Sequence, residues 1–225
     1  MIRTTRGITR VTRSKTQAQA NYDRISGFYD LIAGWSEKKP RTAGLQLLAA
    51  HPGERILEVG YGTGHALRDL AQAIGDSGRV SGIDISEGMK AIAARRLLEA
   101  GLRDRVQLHC GDAASLPFES SSMDAIFSSF TIELFDTPEI PVVLEECRRV
   151  LRDGGRICIV SLSKERLTRM TRFYERFHEI FPRIVDCRPI FARQSLENAG
   201  FRIEQNYELS WWAMTVEAVL ARKPA

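Results

Sequence analysis

The sequence predicts an α/β fold with one mostly parallel sheet of seven strands, an antiparallel C-terminal hairpin and helices on both faces. The first observation is that short apolar runs alternate with segments of helical periodicity between about residues 50 and 162. The second is that two further apolar runs follow near the C-terminus with a short turn between them. Alternation at this spacing is typical of right-handed βαβ units. The 225 residues and the 44% hydrophobic fraction suit one domain with a sizeable core.

Each element has its own local signal. The five parallel strands are apolar runs bounded by turn residues, and they are predicted at 55–60, 79–83, 106–110, 125–129 and 156–162. Helices are predicted where apolar residues recur every three to four positions, at 22–50, 65–74, 86–100, 138–151, 167–181 and 195–199. Ser86 is a suitable N-cap for the third of these helices, and Gly101 ends it. The closing hairpin is predicted at 201–209 and 214–221.

Basic residues are concentrated at the N-terminus. Residues 1–20 hold five basic side chains and no acid, whereas the whole chain has a formal net charge of +4, so the rest is close to neutral. This predicts a basic arm at 1–20 and a single domain at 21–225, with a core at about 50–162 and ligand-side cap segments at 21–50 and 163–195. A neutral body argues against nucleic acid as a partner, because nucleic-acid-binding domains carry a basic face.

The composition also bears on where the protein works. No apolar run approaches the roughly 18 residues of a transmembrane helix, and the N-terminus lacks the apolar core of a secretory signal. The four cysteines are far apart and form no C-x-x-C pair, which favours reduced thiols in the cytoplasm. The arm and the arginine-bearing helix at 167–181 favour peripheral contact with an anionic membrane. The alternative is a solubilising tail and an ordinary covering helix.

A glycine-rich turn joins the first strand and the first helix of the core, with the sequence Glu58-Val59-Gly60-Tyr61-Gly62-Thr63-Gly64. In a parallel sheet, ligands bind at such strand ends, and glycine lets the backbone come close to them. A nicotinamide fingerprint G-x-G-x-x-G would need glycine at position 65, which is His65. Glu58, an acid ahead of the glycines, fits a cationic ligand better than a pyrophosphate. Without a ligand, the run would be a plain tight turn.

Acidic residues follow the second and third predicted strands. Asp84 can accept two hydrogen bonds from a ribose diol; the alternative is an acid that stabilises a helix N-terminus. Asp112 can accept from the exocyclic amine of an adenine while Ala113 supplies a backbone N–H; the alternative is an Asx turn. Ser128 and Ser129 end the fourth strand at the same edge. The sequence therefore predicts a ligand site along these strand ends.

These motifs, in this order, resemble those of class I S-adenosylmethionine-dependent methyltransferases. The matching segments are the glycine run, Asp84, Asp112-Ala113, Leu116-Pro117-Phe118 with Asp124-Ala125-Ile126, and Leu151-Arg152-Asp153-Gly154-Gly155-Arg156. Within that class the chain looks most similar to the ubiquinone/menaquinone C-methyltransferases and the bacterial phospholipid N-methyltransferases. The Tyr22-Asp23 and Tyr29-Asp30 pairs ahead of the core point to the same group. The resemblance covers roughly residues 50–162 and implies the Rossmann-like fold of the class.

The resemblance implies S-adenosylmethionine as the cofactor, S-adenosylhomocysteine as its product, and no metal. The residues expected at the cofactor are Glu58, Gly60, Tyr61, Gly62, Thr63, Gly64, Asp84, Ile85, Asp112, Ala113 and Ser129. Tyr61 departs from the small residue that is usual in this loop. Its ring is expected to narrow or cover the pocket, or else to face the surface without a role. Asp153 replaces a common proline, which affects only a turn.

The predicted activity is methyl transfer to a small acceptor, either a quinone ring carbon or a phospholipid amine. Methylation of carbon or of a protonated amine requires a base, and the candidates are Glu133, just past the fourth strand, and Tyr29. Tyr22 and Tyr29 are expected near the acceptor. Two alternatives stay open: a nicotinamide-dependent oxidoreductase, which the glycine spacing disfavours, and a non-catalytic protein that kept the cofactor fold.

Overall fold

The computed structural model describes residues 10–11, 14–29, 36–165, 187–211 and 214–225. The strands of this part are β1 Arg55–Val59, β2 Arg79–Asp84, β3 Val106–Cys110, β4 Met123–Ser129, β5 Leu151–Leu162, β6 Arg202–Trp211 and β7 Met214–Arg222. Its α-helices are α1 Lys15–Tyr29, α2 Lys38–Leu48, α3 His65–Ala73, α4 Glu87–Glu99, α5 Glu139–Val150 and α6 Ala192–Asn198. Short 3₁₀ helices lie at Arg103–Arg105 and Ile132–Leu134.

The seven described strands form one sheet in the order β3-β2-β1-β4-β5-β7-β6. Strands β1 to β5 run parallel, and β7 is antiparallel to both β5 and β6. The predicted fold, a mostly parallel sheet with an antiparallel C-terminal hairpin, is confirmed. The strand order reverses between β1 and β4, which are neighbours in the middle of the sheet. Loops diverge at such a switch point, so a ligand cleft is expected at the carboxyl ends of these strands.

Both faces of the sheet are buried. Side chains alternate along a strand, so Ile56 faces α2, α3 and α4, whereas Leu57 faces α5 and α6. Each of these two side chains is 0% exposed, and full burial of such a side chain contributes about 1.5–3 kcal/mol. Central strands that are covered on both faces read as continuous apolar runs, and this is why the sequence predicts them well.

Some element boundaries differ from the prediction. Strand β5 begins at Leu151 rather than at residue 156, because Leu151 pairs with Met123 before an irregularity in the ladder. Helix α6 begins at Ala192 rather than at residue 195. The predicted helix at 22–50 is divided, since Glu37 is the N-cap of α2. The predicted helix at 167–181 lies outside the described residues.

Helix α1 begins at Lys15 and so crosses the predicted boundary between arm and domain at residue 20. Arg10 and Lys15, two of the five basic residues of that arm, form ion pairs with acids of the domain. Where the arm ends stays a prediction, because residues 1–9, 12 and 13 are not described. No described helix has both the length and the apolar character needed to cross a bilayer.

Candidate active site

A cleft opens along the carboxyl ends of β1, β2, β3 and β4. It encloses about 900 Å³ of space, its open mouth included. Seven of the residues predicted at the cofactor or acceptor line it, namely Tyr22, Gly60, Gly62, Asp84, Ile85, Asp112 and Ala113. The order of the strands therefore brings the predicted strand-end residues together.

The three glycines of the turn after β1 have three different surroundings. All have a positive φ, of 75° at Gly60, 49° at Gly62 and 81° at Gly64. A Cβ on Gly60 would lie 2.1 Å from the hydroxyl of Thr131, and one on Gly64 would lie 2.8 Å from Cβ of Ala93 on α4. A Cβ on Gly62 would meet no atom within 4 Å. Gly62 thus leaves space for a ligand, whereas Gly60 and Gly64 leave space for the packing of the protein itself.

Asp84, at the end of β2, holds the glycine turn against helix α4. Its Oδ2 accepts a hydrogen bond from the backbone N–H of Gly62 at 2.8 Å, and its Oδ1 accepts from that of Ser86 at 3.0 Å. Burial raises the pKa of Asp84, and hydrogen bonds from the backbone N–H groups of Ser86, Gly62 and Ile85 offset only part of this rise. A carboxylate has about four acceptor sites, so Asp84 can hold the turn and still accept from a diol.

The predicted N-cap of α4 is confirmed, because Oγ of Ser86 accepts from the backbone N–H of Met89 at 3.1 Å. The start of α4 is therefore satisfied by Ser86. Asp84 is therefore not needed as the cap, and its carboxylate can face a ligand in the cleft.

Asp112, after β3, is engaged from two sides. Its Oδ1 accepts from the backbone N–H of Ala114 at 2.9 Å, so the Asx turn considered as the alternative is present. Its Oδ2 accepts from Nζ of Lys15 at 2.5 Å, and the same ammonium lies 2.8 Å from Oε1 of Glu139. Burial lowers the pKa of Lys15, but hydrogen bonds to the two carboxylates outweigh it, so the pKa is raised. Lys15 is therefore a charged group inside the cleft.

Two segments that sequence reasoning missed complete the walls. The first is the inner side of α1 and the residues just before it, where Val11, Ser14, Lys15 and Ala18 join the predicted Tyr22. Their spacing at i, i+3, i+4, i+7 and i+11 was the available signal for one helix face. The second follows β4 and comprises Phe130, Thr131, Leu134, Phe135, Asp136 and, at the start of α5, Glu139. No motif in the sequence marked this segment.

Glu58 lies outside the cleft, contrary to the prediction. It faces the opposite side of the sheet from Val59, which lines the cleft, because consecutive strand residues alternate. Glu58 is 3% exposed and accepts from the backbone N–H of Leu67 in the first turn of α3. Burial raises its pKa well above the usual value, and Arg41 offsets only part of that rise. Its carboxyl group thus satisfies the start of a helix and does not face a cationic ligand.

Tyr61 neither covers the pocket nor faces solvent, so both expectations for its ring were wrong. The side chain is 3% exposed and belongs to the core beneath α3. A Cβ on Gly82 of β2 would lie 2.7 Å from the ring, so the ring occupies the space that this glycine leaves. The Tyr61 hydroxyl donates to the carbonyl oxygen of His109 on β3 at 3.1 Å. Burial raises the pKa of this hydroxyl, which therefore remains a hydrogen-bond donor.

Thr63 and Ser129 do not line the cleft either. Thr63 is 4% exposed, and its carbonyl oxygen accepts from the guanidinium of Arg96 on α4. The carbonyl oxygen of Ser129 accepts from Oγ1 of Thr131 at 3.1 Å, and Thr131 rather than Ser129 reaches the cleft. The side chain of Tyr29 lies outside the described part of the chain, so its place near the acceptor stays a prediction.

Glu133 lies in the core rather than at the cleft. It is 0% exposed, and its Oε1 accepts from the backbone N–H of Leu162 at 3.2 Å, next to the point where β4 ends. Burial raises the pKa of Glu133 to about 8, and hydrogen bonds from backbone N–H groups offset only part of this rise. A base must come within hydrogen-bond reach of the proton that it removes. The carboxyl group of Glu133 instead supports the end of β5, inside the core, and this position does not support its predicted role as the base.

The fold and the cleft define a class of protein. An open sheet in this strand order, a glycine turn after β1, and acids after β2 and β3 match the arrangement that the sequence motifs implied. Residues 56–155 match the family described as a methyltransferase domain. The chain therefore contains a class I S-adenosylmethionine-dependent methyltransferase domain, and the predicted class is confirmed.

Two relatives show which methyltransferases the chain is similar to. A demethylmenaquinone methyltransferase of Symbiobacterium thermophilum is 36% identical over 158 residues, which are 68% of this chain and 61% of the relative. The ubiquinone/menaquinone biosynthesis C-methyltransferase UbiE of Paracoccus denitrificans is 35% identical over 162 residues, which are 69% of this chain and 63% of the relative. The matched part thus spans less than two thirds of the length of these curated relatives.

A solved structure extends the comparison to nearly the whole chain. The 4+2 cyclase SpnF has a TM-score of 0.77 at 23% identity, and the match covers 97% of this chain and 99% of that one. At this level of identity the likeness concerns the fold alone. Since that protein is described as a cyclase, the fold by itself does not determine the reaction.

Proposed function

We propose that this protein transfers a methyl group from S-adenosylmethionine to a ring carbon of a small apolar hydroquinone, the reduced and aromatic form of a quinone, and that this carbon loses its proton in exchange. The observation that carries the proposal is the cleft itself. It has an open space beside Gly62 and the carboxylates of Asp84 and Asp112 at neighbouring strand ends. The two relatives described above, both named for quinone substrates, support this acceptor class.

The described residues fit the parts of the cofactor. Asp84 would accept from the ribose diol, and Asp112 from the adenine amine, with the backbone of Ala113 close by. Gly62, whose missing side chain leaves the cleft open, would let the backbone approach the methionine end. Ile85, which also lines the cleft, would supply an apolar contact to the nucleoside. The residues present are therefore sufficient in chemical type to hold this cofactor.

The charge of the cleft suits a cation. Among the described residues, four carboxylates line it, from Asp84, Asp112, Asp136 and Glu139, against two cations, Lys15 in the lining and Arg10 just outside it, which pairs with Asp136. When bound, the cofactor supplies a sulfonium methyl group that is electrophilic without a metal or a covalent intermediate. The excess of carboxylates favours a positive ligand over the uncharged sulfide product, since opposite charges a few ångströms apart attract strongly where water is partly excluded.

Apolar side chains form the acceptor side. Tyr22, Phe130, Leu134 and Phe135 line this part of the cleft, and Phe130 is 5% exposed. Aromatic walls hold a planar ring by offset or edge contacts, and they exclude water from the transfer. The acceptor atom must lie in line with the bond to the methyl group, at about 3–3.5 Å. A phospholipid amine would bring a charged headgroup against the same wall, which costs desolvation energy, so the quinone type is favoured.

A methyl-transfer assay tests the proposal. The protein is incubated with methyl-labelled S-adenosylmethionine and either a short-chain demethylmenaquinone, kept reduced as the hydroquinone by dithionite, or phosphatidylethanolamine, both in the same detergent and reductant. We expect label in the quinone alone, and we expect the Gly62→Val variant to transfer none. Gly75→Val is the matched control, because Gly75 also has a positive φ and open surroundings but lies outside the cleft lining.

The same preparation separates the alternatives by calorimetry. Binding of S-adenosylmethionine without transfer to any acceptor would favour a non-catalytic protein. Binding of NADH in its place would favour the oxidoreductase and overturn the proposal. Label in phosphatidylethanolamine but not in the quinone would keep methyl transfer and overturn the acceptor class.

A further inference from the structure

Helix α1 is fastened firmly to one side of the cleft. Oδ1 of Asp23 accepts from the hydroxyl of Ser86 at 2.5 Å and from the backbone N–H of Gly88 at 3.0 Å, so Asp23 supports the start of α4. The contact is close, since a Cβ on Gly88 would lie 2.8 Å from Oγ of Ser26 and 3.1 Å from Cα of Asp23. This end of α1 is therefore held by both packing and hydrogen bonds.

The N-terminal end of α1 reaches acids on two other elements through ion pairs. Nζ of Lys15 lies 2.5 Å from Oδ2 of Asp112, after β3, and 2.8 Å from Oε1 of Glu139, at the start of α5. Just before the helix, the guanidinium of Arg10 donates to both carboxylate oxygens of Asp136 at 2.6–2.9 Å. Asp23 lies eight residues after Lys15 in α1, about 12 Å along the helix at 1.5 Å per residue, so the helix links the start of α4 with the segments that follow β3 and β4.

These contacts differ in how easily they release. The side chains of Lys15, Asp112 and Glu139 are 41%, 34% and 34% exposed. Ion pairs with this much solvent contact contribute little individually and are screened by salt. The contact of Lys15 is therefore releasable, whereas the contacts of Asp23, and those of Asp136 with Arg10 and with the backbone N–H of Val11, are the firmer ones.

We propose that Lys15 is a positioning residue that controls cofactor exchange by fastening α1 as a strap across the cleft. The inference rests on the proposed function, in which Asp112 accepts the adenine amine. Lys15 contacts the same carboxylate, and a carboxylate has about four acceptor sites, so Asp112 can hold the ammonium and the adenine amine together. Glu139 offers Lys15 a second partner, so the strap is closed by two acids at the adenine end of the cleft. Release from both acids lets the strap lift and the cofactor leave.

Exchange kinetics test this directly. Binding of S-adenosylhomocysteine to the immobilised full-length protein is followed by surface plasmon resonance at low and high salt. We expect Lys15→Met to raise the dissociation rate roughly two- to tenfold at low salt, the size set by two half-exposed ion pairs. Glu139→Gln should raise it less, and Lys15→Arg should restore a rate close to that of the wild type. Lys38→Met, which removes an exposed charge at the start of α2, is the matched control.

The dependence on salt separates a strap from a general loss of structure. Salt should speed dissociation from the wild type and have little effect on Lys15→Met, since the contacts that salt screens are already gone. Equal dissociation rates for wild type and Lys15→Met at both salt concentrations would overturn the strap while leaving the proposed function intact. A rate increase in Lys38→Met as large as in Lys15→Met would also overturn it. Failure of the wild type to bind S-adenosylhomocysteine would overturn the proposed function, and the strap with it.

Discussion

Replacement of Gly62 by alanine separates the space that a ligand needs from the space that the fold needs. The backbone φ at Gly62 is 49°, and a Cβ there would meet no protein atom within 4 Å. The left-handed conformation costs a residue with a Cβ about 1–2 kcal/mol, and no packing clash adds to it. The new methyl group would lie in the cleft, where the methionine end of the cofactor is expected. We therefore expect a loss of cofactor affinity of about tenfold or more, or about 1.4 kcal/mol or more.

Urea denaturation and calorimetry with S-adenosylmethionine measure the two effects separately. Gly75→Ala is the control, because Gly75 has a φ of 67°, equally open surroundings, and no place in the cleft lining. It should lose about the same 1–2 kcal/mol of stability and keep the affinity of the wild type. Gly60→Ala should lose more stability than either, since its Cβ would lie 2.1 Å from the Thr131 hydroxyl. Equal affinities for Gly62→Ala and Gly75→Ala would refute the reasoning.

Four further predictions follow from the same contacts. Asp84→Ala should weaken cofactor binding by about 1.5–3 kcal/mol, and an unchanged calorimetric Kd in a folded variant would contradict its assignment. Tyr61→Phe removes the hydrogen bond to His109, so it should lower the free energy of unfolding by about 0.5–1.5 kcal/mol. A changed cofactor Kd would contradict the placement of the ring outside the cleft. The pKa of Glu133 is raised from 4.5 to about 8 on folding, so the folded state binds more protons and wild-type stability falls as the pH rises through that window. Glu133→Gln should remove this fall, and a wild-type-to-variant difference in stability that is constant between about pH 5 and pH 9 would count against it. Binding to anionic vesicles should be lost in high salt and should weaken on deletion of residues 1–9, which removes two of the five basic residues and leaves α1 in place; sedimentation of the deleted chain with vesicles as efficiently as the full chain would argue against a basic membrane anchor.

The strands and the class of fold could be predicted because their signals are local. A central strand such as β1 is a short run of apolar residues that ends in glycine, and burial on both faces produces that pattern wherever the strand lies in the sheet. The start of β5 was missed for the complementary reason. Leu151 extends the strand by pairing with Met123. Residues 151–155 carry no local pattern that would predict this pairing with another strand.

The candidate site divides in the same way. Asp84 and Asp112 could be placed at the cleft because they follow strands, and the carboxyl ends of parallel strands share one edge. The wall formed by α1 could not be placed, since it depends on where Asp23 and Lys15 find partners. Phe130 has a φ of 52° just after β4. A phenylalanine in a sequence gives no sign of this left-handed conformation, which such residues rarely adopt.

The sequence by itself determined the order of elements, the glycine turn, the acids at the strand ends and the class of protein, because each depends on residues that are close in the chain. Only the tertiary structure decided which face each side chain takes. Alternation places Glu58 and Val59 on opposite faces, but the helices packed above decide that Val59 meets the cleft and Glu58 meets the start of α3. Likewise, Gly60 is needed beside Thr131, 71 residues further along the chain. Packing joins residues that are distant in sequence, so local propensity carries no record of it.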